Sequence, residues 1–544
     1  MSGIRRYFPS GDEYVTEDAL KNLRNYRYRA VDKSFLTKYL YRHYWEWAVT
    51  LFPLWMAPNL ITLTGLSFEV FDVLLVLLIM PDLEGPGPWW IYFAFGIGMW
   101  LYSTFDNVDG KQARRTGTSS PLGELFDHGC DALNCTIAGI VEASAFACGI
   151  SWQTVTIVFF TTMTFFFSTW EEYHTGVLYL GYVNGPTEIL TLAVLACFAS
   201  GIWGPAIWHV PASQGLPIIG ALFPVSWEVT DALLMLTGMA MIFGHCAVCC
   251  WNVYTACKEQ NRSFFATLPQ LVQYAVFATS CYVWLDNSTT IFANNHLVLF
   301  MVTAGIAFGR IVSKIILAHL TESQFPSYTV QMVPLAVGAI VARLGLFTPA
   351  TELLFLIVSF LFVTIAYLHW ALVVIERFCE FLGINCLTIA PQANVENSSV
   401  NSIFELESGG FTVDSVFRVL YQAGHLTPLK PGQVGIPNHE VLEDFIELSV
   451  RIHKTSGLPG LFNSYVLDRL GLGQGNVFVF SLYLDQVSLQ QPPVIIAKIS
   501  ESTYHLYMHA LLAPLIGFGG FSIDHEAPKA ERRRARKLPR QKSK

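Results

Sequence analysis

The chain is short of charge. Of 544 residues only 14% are Asp, Glu, Lys or Arg, where soluble domains carry about 25%. Long tracts lack cations altogether: no Lys or Arg occurs between Arg115 and Lys258. The net charge of −8 gives no basic surface for a nucleic-acid partner. Eleven cysteines form no paired framework, and the "CAVCC" run at Cys246–Cys250 has no second ligand pair at zinc-site spacing, so it reads as small buried residues. Residues 1–42 are polar and basic, without the short apolar core and cleavage site of a signal peptide.

What the chain does have is apolar length. It is 53% hydrophobic, with a mean hydropathy of +0.43, which places it among all-α polytopic membrane proteins. At about 20 apolar residues per span, ten spans are expected, near 60–80, 89–108, 129–150, 153–169, 187–207, 230–254, 268–285, 296–317, 330–346 and 352–376. Residues 34–57 mix Lys38, Arg42 and Glu46 with many aromatics, the pattern of an amphipathic helix lying on a membrane surface. Three regions follow: 1–57, a cytosolic segment carrying that helix; 58–386, the membrane domain; and 387–544, a cytosolic appendage. Lys111, Arg114, Arg115, Lys258, Arg262 and Arg377 fall in loops on one side, so both termini and the 106–131 loop are expected to face the cytosol. The eight Lys and Arg from Arg532 to Lys544 either attract anionic lipid or form a solvated tail.

Carboxylates stand out against this background. Residues 106–131 read "DNVDGKQARRTGTSSPLGELFDHGCD". Asp106 and Asp109 share one helix face, and Gly110 and Ala113 continue it with almost no side chain, leaving room for a bulky ligand. The turn-rich "TGTSSPLG" reverses the chain. Glu124, Asp127, His128 and Asp131 then form an i, i+3, i+4, i+7 polar stripe. Four carboxylates meeting across such a hairpin repel one another unless cations intervene, and hard oxygen ligands suit Mg²⁺ or Mn²⁺, a pair of which serves displacement at phosphorus. Salt bridges to Lys111, Arg114 and Arg115 are the bland alternative; they account for neither the spacing nor the small residues.

The segment fits D-x2-D-G-x2-A-R-x8-G-x3-D-x3-D at Asp106, Asp109, Gly110, Ala113, Arg114, Gly123, Asp127 and Asp131, and so resembles the CDP-alcohol phosphotransferases. "APNLITLTG" at 57–65, "FDHGCDALN" at 126–134 and "WEEYHTGVLYLGYVNGPTE" at 170–188 are similar to the choline/ethanolamine branch. The resemblance covers about residues 35–386. It implies CDP-choline or CDP-ethanolamine as donor, diacylglycerol as acceptor, CMP as leaving group, and a cytosol-facing site in the endoplasmic reticulum or Golgi. It also implies two divalent ions on Asp106, Asp109, Asp127 and Asp131, and a nucleotide pocket at Asn59, Gly110, Ala113, Arg114 and Gly123. Membrane lipids would surround the enzyme; its oligomeric state, a homodimer included, is left open.

Two catalytic candidates follow. Asp131 is the base that the family pattern implies, but a metal-bound carboxylate is a weak base. His128 lies i, i+3 from it, titrates near neutral pH, and matches a histidine of the resembled branch. Trp170, Glu171, Glu172 and Tyr173 offer aromatic and anionic groups for an ammonium head group, or else form an interface belt. Arg310 and Lys314 either meet phosphate or snorkel. Residues 416–445 are similar to a C-terminal part of AAA-ATPase-like proteins, without a G-x4-G-K-[ST] loop. A cation-coupled transporter is the other class that polar clusters in spans allow; the cluster's position at a span end and the missing inverted repeat speak against it.

Overall fold

The computed structural model describes residues 11–24, 26, 28–389, 427–430 and 433–435. In chain order these form α1 (Gly11–Tyr14), α2 (Glu17–Asn22), β1 (Ala30–Asp32), α3 (Arg42–Ala48), α4 (Pro58–Ile79), α5 (Trp89–Thr116), α6 (Pro121–Ala145), α7 (Trp152–Thr175) and β2 (Leu178–Leu180). There follow α8 (Leu190–Trp203), α9 (Ala212–Gly215), α10 (Val229–Met239), α11 (Ala247–Glu259), α12 (Val272–Asp286), α13 (Leu297–Leu320), α14 (Met332–Arg343) and α15 (Pro349–Leu382). The chain divides after Pro391. Of the second unit only β3 (Thr427–Lys430) and β4 (Gln433–Gly435), an antiparallel pair, are described. The basic end and most of the 416–445 stretch lie outside the described residues.

Among the described residues five helical segments are long and apolar enough to cross a membrane: Pro58–Ile79, Gly185–Trp203, Val229–Glu259, Leu297–Leu320 and Pro349–Leu382. Their surroundings differ. In Leu297–Leu320 78% of the apolar window is buried, against 17% in Val229–Glu259 and 22% in Pro349–Leu382. α13 is therefore the axis of the bundle, while the others turn apolar side chains such as Leu192, Phe243 and Leu361 outward, as a lipid solvent favours. α6 packs against α13, α7 and α4, and α4 also packs along α5.

Glycine permits close contact between α13 and α6. A Cβ on Gly305 of α13 would fall 2.5 Å from Thr136 Oγ1 of α6, the close helix approach that small residues give membrane bundles.

The hairpin that carries the acidic residues is written locally. α5 stops at Gly117, which takes φ 66°, and the N–H groups of Gly117 and Thr118 bond back to Arg114 O and Ala113 O, a Schellman stop. Ser120 restarts the helix by accepting from Gly123 N–H, with Pro121 in the first turn. Both helices run further toward the turn than the apolar spans alone predict, because these caps lie beyond the apolar residues.

From Asn22 to Ser34 the described residues are tied to the membrane domain at several points. The Asn22 side chain donates to Thr321 O at 2.8 Å, β1 pairs in parallel with β2, and Ser34 Oγ donates to Glu188 at 2.5 Å. The helix expected over 34–57 is shorter: a π-helical stretch, Thr37–Tyr41, leads into α3, and the helical run ends at Leu51, one residue before the extended Phe52 that precedes Pro53. Tyr39, Trp47, Leu51 and Trp55 on this segment are exposed.

Candidate active site

α5 and α6 place the four aspartates between them. Oxygen atoms of Asp106, Asp127 and Asp131 lie within 4.8 Å of one another. Each carboxylate with a donor is held by one oxygen. Asn107 Nδ2 donates to Asp106 Oδ2 at 3.3 Å, Tyr102 donates to Asp131 Oδ1, and Thr62 of α4 donates to Asp109 Oδ2. Asp109 is thus turned toward α4 and stands outside that set of three. Asp106 Oδ1 and Asp127 Oδ1 are buried with no hydrogen-bond partner among the described residues. Buried carboxylate oxygens without donors are costly, and the set is made of hard oxygen ligands, two of them, Asp106 and Asp131, oriented by a donor from behind. That arrangement fits a divalent cation.

Arg115 does not serve these aspartates: its guanidinium donates to Val49 O and Phe52 O at 2.9 and 2.8 Å, fastening α5 to the preceding segment. Arg114 is exposed, and its Nη1 is the one atom near a Cβ built on Gly110, at 3.7 Å. A Cβ on Gly123 would meet only Asn59 Oδ1, at 3.8 Å. Neither glycine is demanded by the protein's own packing, so the space above them is open. Asn59 Nδ2 donates to Cys386 O at 3.1 Å, which brings the segment after α15 to the same place. Ala113 is half-buried on this face of α5.

A second constellation adjoins the first. Glu124 and His128 of α6 meet Glu172 of α7, again within 4.8 Å, with His128 Nδ1 3.9 Å from Glu172 Oε2. Tyr26 donates to Glu124 Oε2, and its ring meets His319 edge-on at 5.9 Å. Tyr28 is half exposed, yet its phenol is pushed above its usual range, first by the protein crowding it and then by the charges of Glu172, Asp127 and Asp106. The sequence reading missed Tyr26, Tyr28 and the Cys386 carbonyl.

Of the head-group candidates only Glu172 joins this constellation. Trp170 is fully buried and donates to Gln270 Oε1 at 3.0 Å. Glu171 accepts from Asn252 at 2.6 Å, and Tyr173 donates to Ser323 O at 2.8 Å. Successive residues point about 100° apart on a helix, so a run of four cannot all face one site. Arg310 does not snorkel: it is buried, its guanidinium 3.7 Å from the Trp370 ring centroid, where the aromatic face replaces water. Lys314 Nζ donates to Tyr328 O at 2.8 Å.

The sequence model of the CDP-alcohol phosphatidyltransferase family matches residues 55–225, which include Asp106, Asp109, Gly110, Gly123, Asp127 and Asp131. Choline/ethanolaminephosphotransferase 1 of Arabidopsis thaliana is 36% identical over 386 residues, 69% of this chain and 98% of the plant protein. The chain belongs to the CDP-alcohol phosphatidyltransferase family. Cholinephosphotransferase 1 of Saccharomyces cerevisiae is 33% identical over 58% of this chain and 80% of its own length. An uncharacterized class-I member from Dictyostelium discoideum is also 33% identical, over 69% of this chain and 98% of its own length. This family member is therefore an enzyme of phospholipid biosynthesis, with carboxylate groups suited to metal and helices suited to a membrane.

Proposed function

We propose that the chain transfers phosphocholine or phosphoethanolamine from CDP-choline or CDP-ethanolamine to diacylglycerol, releasing CMP. The convergence of Asp106, Asp127 and Asp131, with two buried oxygens left unpartnered, carries this reading in a chain whose relatives include proteins named choline/ethanolaminephosphotransferases. Asp106, Asp109, Asp127 and Asp131 would hold two Mg²⁺ or Mn²⁺ ions, whose chemistry there is to neutralise the pyrophosphate and align the reacting oxygens. The open faces of Gly110, Ala113 and Gly123, beside Asn59, admit the nucleotide, and Arg114 meets phosphate charge.

The acceptor hydroxyl oxygen attacks the β-phosphorus, the bond from that phosphorus to the bridging oxygen breaks, and CMP departs with the electron pair. The hydroxyl proton passes to His128, whose imidazolium form the Glu172 carboxylate at 3.9 Å stabilises. Tyr26 holds Glu124 beside it.

Ten spans, an interfacial helix before α4, and a site facing the cytosol from the endoplasmic reticulum or Golgi complete the reading. Helices at all ten expected segments, the exposed aromatics of residues 39–55 and the one-sided Lys and Arg loops support it.

The test uses membranes from cells without such activity, supplied with a CDP-alcohol, diacylglycerol and Mg²⁺. CMP should be released only when metal and acceptor are both present; release that survives EDTA would refute the metal-dependent reading.

A further inference from the structure

Removing Trp170 and Tyr173 from the site leaves Glu172 without the aromatic partner that an alkylammonium group calls for. The N-terminal strap supplies one. Tyr26 is fixed on Glu124, and Arg29 O accepts from Leu178 N at 2.9 Å where β1 begins. Tyr28 stands between these anchors, within about 7 Å of each along the chain. Its hydroxyl feels the charges of Glu172, Asp127, Asp106 and Arg114, in keeping with a place two residues from Tyr26 on Glu124. The residue is 50% exposed, and no ring or cation among the described residues covers its face.

We propose that Tyr28 is a specificity residue of the donor site, its ring receiving the ammonium end of the CDP-alcohol together with the Glu172 carboxylate. This rests on the donor assignment made above. The two donors depend on the ring unequally. A primary ammonium has N–H groups to donate to carboxylates; a trimethylammonium has none and relies on Coulomb attraction and an aromatic face. Tyr28 therefore favours the choline donor over the ethanolamine donor.

The experiment measures kcat/KM for CDP-choline and CDP-ethanolamine with the full chain in membranes, for the parent, Tyr28→Leu and Tyr28→Trp. Tyr28→Leu should lower the choline-to-ethanolamine ratio about tenfold, chiefly through the KM for CDP-choline, and Tyr28→Trp, with its stronger face, should raise it above the parent's. A strap residue with a merely structural role would lower both substrates alike, and that result in Tyr28→Leu overturns the proposal. Should Tyr28→Leu fail to reach the membrane, Tyr28→Trp decides alone, and a ratio no higher than the parent's overturns it. A parent silent with both CDP-alcohols refutes the donor assignment itself, and the proposal falls with it.

Discussion

At the scale of single residues, the proposed mechanism separates groups that bind charge from a group that moves a proton. Asp106, Asp127 and Asp131 converge as one set, and His128 belongs to another with Glu124 and Glu172. A carboxylate on a divalent ion has its charged form stabilised and is a poor base; an imidazole outside that set keeps its lone pair for the acceptor hydroxyl. His128→Gln should therefore lower turnover by ~10²-fold while leaving the KM for CDP-choline in place. Asp131→Asn should reduce the rate and weaken the metal dependence together. The check is steady-state CMP release across a Mg²⁺ titration, and a His128→Gln protein that turns over like the parent moves the base to Asp131.

At the scale of elements, α6 carries Asp127, His128 and Asp131, so whatever sets its distance from α13 sets the site. Gly305 and Gly309 of α13 face Thr136 and Leu133 of α6, with a built Cβ 2.5 and 2.8 Å from them. Gly305→Leu would push the helices apart, and overpacking of this kind costs roughly 1–3 kcal/mol; a lower Tm in detergent, with falling activity, is expected. An unchanged Tm would show that the interface yields elsewhere. The elements also show what was legible. The hairpin was, because Gly117, Ser120 and Pro121 act on their immediate neighbours. Helical spacing also placed Asp127 and Asp131 on one face, where they meet Asp106, while Asp109 turns toward Thr62 of α4, a contact that spacing does not encode. Trp170 and Tyr173 take partners away from the aspartates because helix rotation is set by α11 and the loops that pack on it, which a run of four residues does not reveal. Tyr26 reaches Glu124 across 98 residues and Asn59 reaches Cys386 across 327; no local pattern encodes such contacts.

At the scale of the whole molecule, the residues proposed for the site all precede Pro391, where the chain divides. The family match ends at residue 225, and the last site contact, the Cys386 carbonyl on Asn59, comes just after α15. The Arabidopsis relative gives nearly its whole length, 98%, to an alignment of 386 residues, close to the 391 of the first unit. A relative named a choline/ethanolaminephosphotransferase is thus of about that size. A chain ending at Pro391 keeps both acidic constellations, the strap that carries Tyr28, and the segment that closes over Asn59. It loses the basic stretch from Arg532 to Lys544, whose attraction to anionic lipid would add membrane affinity to a protein its apolar helices already anchor. Truncation after Pro391 should therefore leave CMP release per inserted molecule undiminished in membranes of neutral lipid. The measurement is turnover normalised to inserted protein, alongside CDP-choline binding. A truncated chain that inserts and binds CDP-choline but does not turn over would make residues 392–544 part of the catalytic unit.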